Sequence, residues 1–107
     1  MFPLILGSTL LYKSNNLEKY GTLGQDTSLT CKDDTITPAT TAFDFKKDGR
    51  SFILNGQISQ PTKYIITIND GSIVLIIKNT STSDEGKYTC SFGFADESPP
   101  YNLKVEG

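Results

Sequence analysis

The 107-residue chain has no histidine and no tryptophan, a single methionine and only two cysteines, Cys31 and Cys90. Without histidine it lacks the commonest general base and the commonest metal ligand of proteins. Two cysteines cannot supply a four-ligand zinc site, and no Cys–His catalytic pair can form. These absences argue against an enzyme, and we predict no cofactor, no metal site and no catalytic residues.

Long apolar runs and a dominant charge are also missing. No run approaches the roughly 18 apolar residues that a membrane span requires. The short apolar run at Phe2–Leu6 lacks the basic region and the cleavage site of a signal peptide. The 10 basic and 12 acidic residues are scattered, and a net charge of −2 gives no field that attracts phosphates. We expect neither nucleic acid as a partner nor direct membrane insertion by this fragment.

The sequence does have short bursts of apolar residues at alternate positions, divided by Gly, Pro, Asn and Asp, which is the pattern of β-strands. The turn at Asn69–Gly71 predicts a hairpin, because Asn or Asp before Gly readily takes positive φ. The length suits one domain, spanning 1–107, and the strand spacing favours an all-β sandwich of two sheets. The predicted strands are Thr9–Lys13, Thr27–Lys32, Ala42–Lys47, Ser51–Asn55, Lys63–Asn69, Ser72–Lys78, Gly86–Phe94 and Tyr101–Val105.

Both cysteines are predicted to face inward. Alternation places Cys31 on the same face as Leu29, and Cys90 on the same face as Tyr88. Across two sheets packed about 10 Å apart they could form a disulfide, worth roughly 4 kcal/mol in the chain-entropy model. That outcome requires an oxidising compartment, whereas a cytosolic domain would keep two buried free thiols.

Four segments give the chain, from about Ser8 to Val105, a resemblance to the immunoglobulin superfamily. They are GQDTSLTC for strand B, FDFKKDG for strand C and its turn, LIIKNTSTSDEGKYTC for strands E and F with their corner, and YNLKVEG for strand G. The resemblance implies an immunoglobulin-like two-sheet Greek-key sandwich of variable or intermediate-set character. It also implies that Cys31 and Cys90 form the bridge between the sheets.

The spacing of Asp84, Gly86, Tyr88 and Cys90 is the most specific part of this resemblance. In that family the Tyr hydroxyl bonds back to the corner backbone, forming a tyrosine corner. The resemblance implies this role for Tyr88 and a close turn at Gly86. It pairs Asp84 with a base, for which the candidate is Lys63. Many variable-type domains have arginine there, and a lysine loses its bidentate geometry.

The chain departs from the family pattern by lacking the tryptophan that packs on the bridge. Phe43 or Phe45 must fill that space, and we favour Phe45 because FKKDG resembles the tryptophan-led strand C of other members. Thr80 stands where an apolar residue commonly closes the corner.

Strand E offers one candidate surface. The family's phase puts Ile73, Leu75 and Ile77 in the core. Val74 and Ile76 then form an outward apolar stripe, which can be a partner-binding patch. The N-terminal segment could cover the stripe instead, or the register could differ by one residue. The preceding strand leaves two outward sets open, which are Tyr64, Ile66 and Ile68 or Ile65 and Thr67.

The outward face of the G-F-C-C′ sheet and the F–G loop supply the candidate partner-binding residues. A loop stiffened by two prolines suits recognition, because it loses little entropy on binding. Asp44 beside Lys46 suits a self-complementary contact, and equally suits solvation. The candidates are Asp44, Lys46, Phe52, Ser91, Phe94, Asp96 and Glu97.

Asn79 opens the triplet Asn-Thr-Ser, a formal N-glycosylation acceptor. Glycosylation of Asn79 would imply a secreted or cell-surface location. The triplet adjoins the E–F corner, away from the sheet proposed for recognition.

Three functions follow from these features. The leading hypothesis is an extracellular recognition or adhesion domain, on the outer side of the plasma membrane or secreted, that binds a protein which could be a second copy of itself. Its Trp-free, Asn-, Ile-, Lys- and Thr-rich composition is similar to membrane-distal domains of invertebrate allorecognition receptors. The alternative is a structural module of a giant cytoskeletal protein of the titin kind. An enzyme is disfavoured, because acidic doublets such as Asp84–Glu85 do not converge on a strand.

Overall fold

The computed structural model describes residues 17–40, 42–92 and 100–107. Within these ranges the chain forms nine β-strands and one short 3-10 turn at Thr82–Asp84. The strands are β1 (Leu17–Thr22), β2 (Thr27–Lys32), β3 (Phe43–Lys47), β4 (Arg50–Leu54), β5 (Gln57–Ile58), β6 (Tyr64–Asn69), β7 (Ser72–Ile77), β8 (Gly86–Phe92) and β9 (Tyr101–Glu106).

The strands make two sheets. One has six strands in the order β1-β9-β8-β3-β4-β5, and the other has three in the order β2-β7-β6. The paired strands are antiparallel except β1 and β9, which run parallel. In the predicted sandwich β9, β8, β3 and β4 take the places of strands G, F, C and C′. The all-β two-sheet sandwich is confirmed.

The core lies between the sheets and follows the period-two pattern of the strands. Ile73, Leu75 and Ile77 of β7 are fully buried, as predicted. In β6, Tyr64 is buried while Ile65 and its alternate neighbour Thr67 are exposed, which decides between the two phases left open by the sequence. The buried apolar residues are Leu29, Cys31, Ile36, Phe43, Phe45, Ile53, Tyr64, Ile73, Leu75, Ile77, Tyr88, Cys90 and Leu103.

Two-residue turns close three hairpins. The predicted turn lies where Asn69 pairs with Ser72. Asp48–Gly49 and Asn55–Gly56 each have positive φ at both residues, which is the type I′ geometry that matches strand twist. These turns fix the registers of β3 with β4 and of β4 with the short β5.

Strand β1 was not among the predicted strands. Its inward positions include Lys19 and Gly21, so the segment shows no apolar alternation. Gly21 is required by close packing, since a Cβ there would lie 2.6 Å from Thr27 Oγ1. Pairing with β9 makes this segment a strand, and such long-range pairing leaves no local signal. The predicted strand Thr9–Lys13 lies outside the described residues.

The structure places Phe52 against the core and not on the outward face of the sheet, where it was expected. The register between β3 and β4 shifts after Phe45, so that Ile53 pairs with Phe45 and Ser51 pairs with Lys46. This bulge lets Phe52 and Ile53 both turn inward, although strict alternation would place them on opposite faces of the sheet. The Phe52 ring lies 4.5 Å from the Tyr64 ring, centroid to centroid, and packs on the core.

Candidate functional site

A disulfide joins the two sheets through the core. Cys31 of β2 and Cys90 of β8 are bonded, with Cα atoms 6.4 Å apart. Phe45 is the register partner of Cys90 and lines a small cavity of about 10 Å³ beside the bridge. Phe43 lies one inward position further along, with its ring centroid 6.2 Å from that of Phe45. Phe45 therefore occupies the space beside the bridge.

The E–F corner, residues 78–86, is built around one buried carboxylate. The Tyr88 hydroxyl donates to the Asp84 carbonyl oxygen at 2.5 Å. Burial, and then the charge of Asp84, raises the pKa of Tyr88 well above its usual value, so the phenol stays protonated as a donor. The Asp84 carboxylate accepts from the Ser81 backbone N–H at 2.8 Å. Asp84 is 4% exposed, so these bonds replace water around a buried charge.

Lys63, immediately before β6, is the base that neutralises this carboxylate. Its Nζ lies 2.8 Å from Asp84 Oδ2. The same ammonium donates to the carbonyl oxygens of Lys78 at 2.9 Å and Asn79 at 3.3 Å. An ammonium has three donors, and here all three meet an acceptor of the corner. A lysine thus ties the carboxylate and two backbone carbonyls together at one point.

Two small residues close the remaining space around the corner. Thr80 is buried, and its Oγ1 lies 2.7 Å from Thr27 Oγ1, so the two hydroxyls satisfy each other where an apolar plug would otherwise pack. Gly86, with φ 157, lets Asp48 approach, because a Cβ there would lie 2.7 Å from Asp48 Oδ2. The Asp48 carboxylate then accepts from the Lys87 backbone N–H at 2.9 Å.

The outer face of the six-stranded sheet is polar and mixed in charge. Its strand registers place Asp44 opposite Ser91, and Lys46 opposite Thr89. These four side chains are half-buried on the face turned away from the core. The neighbouring outward residues are Glu18, Tyr20, Lys87, Asn102 and Lys104. The structure therefore brings three predicted candidates together, Asp44, Lys46 and Ser91.

Asp44 also orders the margin of this face. Its Oδ1 accepts from the Asn55 backbone N–H at 2.7 Å and so holds the turn between β4 and β5. Asp44, Ser91, Leu54 and Asn55 line a shallow hollow of about 220 Å³. Leu54 is 60% exposed at its rim. The hollow combines an acidic wall with an exposed apolar side chain.

Sequence reasoning missed the two exposed apolar side chains of this face, Tyr20 and Leu54. Tyr20 is 59% exposed on β1, in register with Lys104. It was missed because β1 was missed. Leu54 was missed although alternation along β4 points it outward, a signal that the sequence did contain. The predicted candidates Phe94, Asp96 and Glu97 lie outside the described residues.

The outer face of the three-stranded sheet carries the predicted apolar stripe in part. Ile65 is exposed, while Val74 and Ile76 are half-buried. Ile65 is the register partner of Ile76, and Val74 lies between Thr30 and Thr67. The threonines interrupt the stripe on both sides.

In the part of the chain that the structure describes, no three His, Cys, Asp or Glu side chains come close enough to hold a metal ion. Among the same residues, no helix has the length and apolarity to cross a membrane.

The sequence matches the model of a known protein family. The model of the immunoglobulin domain matches residues 10–92. No curated protein matches the sequence. The solved ectodomain of mouse nectin-like molecule 4, with three immunoglobulin domains, is 14% identical at a TM-score of 0.69, over 84% of this chain and 32% of that one. The chain thus spans about a third of that ectodomain.

Two single domains match over most of their own length. The first immunoglobulin domain of the mouse polymeric immunoglobulin receptor is 22% identical, with a TM-score of 0.69, over 84% of this chain and 89% of that one. Titin domain M7 is 23% identical, with a TM-score of 0.65, over 85% and 87%. At such identities the likeness shows the fold alone, whereas the family model covers well over half of the sequence. The chain therefore belongs to the immunoglobulin domain family.

Proposed function

We propose that this domain is an extracellular recognition or adhesion domain that binds another protein through the outer face of the six-stranded sheet. The observation that carries the proposal is that face itself. It combines charges of both signs with the exposed side chains of Tyr20 and Leu54 near its two edges. Aromatic anchors among polar groups are typical of protein interfaces. We assign the domain no catalytic role.

The disulfide supports the extracellular location. Bridges such as Cys31–Cys90 form and persist in oxidising compartments and are rare in the cytosol. The nectin-like ectodomain and the polymeric immunoglobulin receptor, as their names state, are extracellular or receptor proteins with the same fold. That the domain is part of an invertebrate allorecognition receptor stays a prediction from composition.

A second copy of the chain is the partner that the charges favour. Asp44 and Lys46 lie two residues apart on the same face of β3. In a two-fold contact each patch meets itself, so Asp44 of one copy can face Lys46 of the other, and the reverse. Opposite charges placed in this way fix the register of the contact.

Sedimentation equilibrium of the oxidised domain, up to near-millimolar concentration, tests this proposal. We expect weak self-association that is lost in Asp44→Lys and weakened in Phe94→Ala. Asp70→Lys is the matched control, because it makes the same charge change on the hairpin between β6 and β7 and should associate like the unmodified domain. A monomer at every concentration would overturn the homophilic proposal.

A charge swap sharpens the test. Asp44→Lys places two lysines on the patch, and Lys46→Asp places two aspartates there. Each variant should repel itself, while their mixture should associate. Failure of the mixture, with both variants folded, would contradict a reciprocal contact between these residues.

A structural module of a titin-like protein is the second candidate function. The likeness to titin domain M7, nearly as close as that to the receptor domain, is the observation that favours it. Such a module would hold both cysteines as thiols in the cytosol. Alkylation of the protein in freshly lysed cells that make it, followed by mass spectrometry, distinguishes the two. Labelled Cys31 and Cys90 would support the module, whereas an intact bridge supports the extracellular domain.

A further inference from the structure

The turn after β7 holds one exposed asparagine on a fixed backbone. Asn79 has φ 49, a left-handed conformation that asparagine tolerates better than most residues. Its backbone N–H donates to Asp26 Oδ1 at 3.1 Å, and its carbonyl oxygen accepts from Lys63 Nζ. Among the described residues, its side-chain amide makes no hydrogen bond. The structure thus anchors the backbone of Asn79 and leaves its amide in solvent.

The two residues that follow are anchored as well. Thr80 is 1% exposed, and its backbone N–H donates to the Gln25 carbonyl oxygen at 2.8 Å. The Ser81 hydroxyl lies 2.8 Å from that of Ser83. Asn79-Thr80-Ser81 is the only Asn-X-Ser or Asn-X-Thr triplet in the 107 residues. The Asn79 side-chain amide, which would accept the glycan, is exposed at a surface turn, where N-linked glycans are carried.

We infer that Asn79 carries an N-linked glycan, an inference that rests on the proposed extracellular location. The donor is an oligosaccharide linked to a lipid through pyrophosphate. Asn79 Nδ2 forms a bond to C1 of the first N-acetylglucosamine, and the bond from that carbon to the pyrophosphate oxygen breaks. The amide nitrogen gives up one proton, and the lipid pyrophosphate leaves.

The glycan would lie at one end of the sandwich. Asn79 follows β7, next to Asp26 before β2 and Lys63 before β6, so it lies at an end of the three-stranded sheet. The hollow around Asp44 lies on the other sheet, near Ser91 toward the far end of β8. A glycan at this end leaves the outer face of the six-stranded sheet open.

Secretion of the full chain from eukaryotic cells tests the inference. The intact mass is measured before and after treatment with peptide N-glycosidase F, which removes the glycan and converts the linked asparagine to aspartate. We expect the mass to fall to that of the bare chain and the aspartate to map to position 79. Asn79→Gln and Ser81→Ala should lose the glycan, Ser81→Thr should keep it, and the control Asn69→Gln should leave it unchanged.

Failure of the glycan inference can be distinguished from failure of the proposed function. A secreted domain with an intact Cys31–Cys90 bridge and an unmodified Asn79 would overturn the glycan alone. If Cys31 and Cys90 are thiols in the cells that naturally make the protein, the proposed extracellular location is overturned, even if the secreted domain is glycosylated. Equal self-association of the glycosylated domain and Asn79→Gln is expected. A stronger association of Asn79→Gln would contradict the claim that the glycan leaves the recognition face open.

Discussion

The E–F corner and the outer face of the six-stranded sheet use charged residues in opposite ways. In the corner, Asp84 is buried and accepts from Lys63 and from the Ser81 backbone, while its own carbonyl oxygen accepts from Tyr88. On the face, Asp44 and Lys46 are half-buried and stand beside short polar side chains. Each corner residue serves several partners at once, so few substitutions satisfy them all. The face is more open to solvent, so its residues should tolerate more substitutions than those of the corner.

The largest effect is expected from Asp84→Ala. It leaves the Ser81 N–H without its acceptor and the Lys63 ammonium without its carboxylate, which in partly buried pairs costs about 2 to 3 kcal/mol of unfolding free energy. Chemical denaturation of the oxidised domain measures it. The matched variant on the face, Asp44→Ala, should cost less than half as much, and equal losses would erase the contrast between the two regions.

A smaller loss is expected from Tyr88→Phe, about 1 kcal/mol, because the Asp84 carbonyl oxygen loses one neutral donor. The same variant should also differ from the unmodified domain in the pH dependence of its stability under alkaline conditions. The folded state holds the pKa of Tyr88 above its unfolded value, so the unfolded chain releases the proton first. Stability should fall as the pH rises above about 10, and less steeply in Tyr88→Phe. Parallel curves for both proteins would contradict the burial of this phenol.

Gly86→Ala should cost about 1 kcal/mol, because its φ is positive and its Cβ would meet the Asp48 carboxylate. Most of the steric part should disappear when Asp48 is also changed to alanine, because the two closest atoms belong to its carboxylate. A double-mutant cycle, read by thermal unfolding, measures this coupling. Additive losses would show that the backbone angle alone explains the glycine.

The smallest stability effect is expected on the face. Lys87→Gln changes an exposed side chain, so its unfolding free energy should move by less than about 0.5 kcal/mol. Its association constant should nevertheless change if Lys87 lies in the contact. A stability loss as large as that of Tyr88→Phe would place Lys87 with the corner rather than with the face.

The sequence predicted the parts of the fold in which local pattern and burial agree. The alternation of β7, the hairpin at Asn69–Gly71 and the inward cysteines each have one strongly favoured arrangement. Phe52 was misplaced because a bulge changes alternation without any change in composition. β1 was missed because its inward positions hold a lysine and a glycine rather than apolar residues.

The candidate site was less predictable for a physical reason. A solvated face tolerates many side chains, so its sequence carries little of the periodicity that marks a core. Asp44, Lys46 and Ser91 were found because the family resemblance gave the phase of their strands. The partner that we propose for them would be selected by a complementary surface, and that surface leaves no pattern in this sequence.

The parallel pairing of β1 with β9 has a mechanical consequence. Six residues of each strand are in register, from Leu17 with Tyr101 to Thr22 with Glu106. A tension that draws the start of β1 away from the end of β9 pulls these strands past each other along their length. The load falls on the whole ladder together, whereas an antiparallel hairpin pulled from its open end would release one pair at a time. A domain joined to its neighbours at these two points would resist stretching through shear of this ladder.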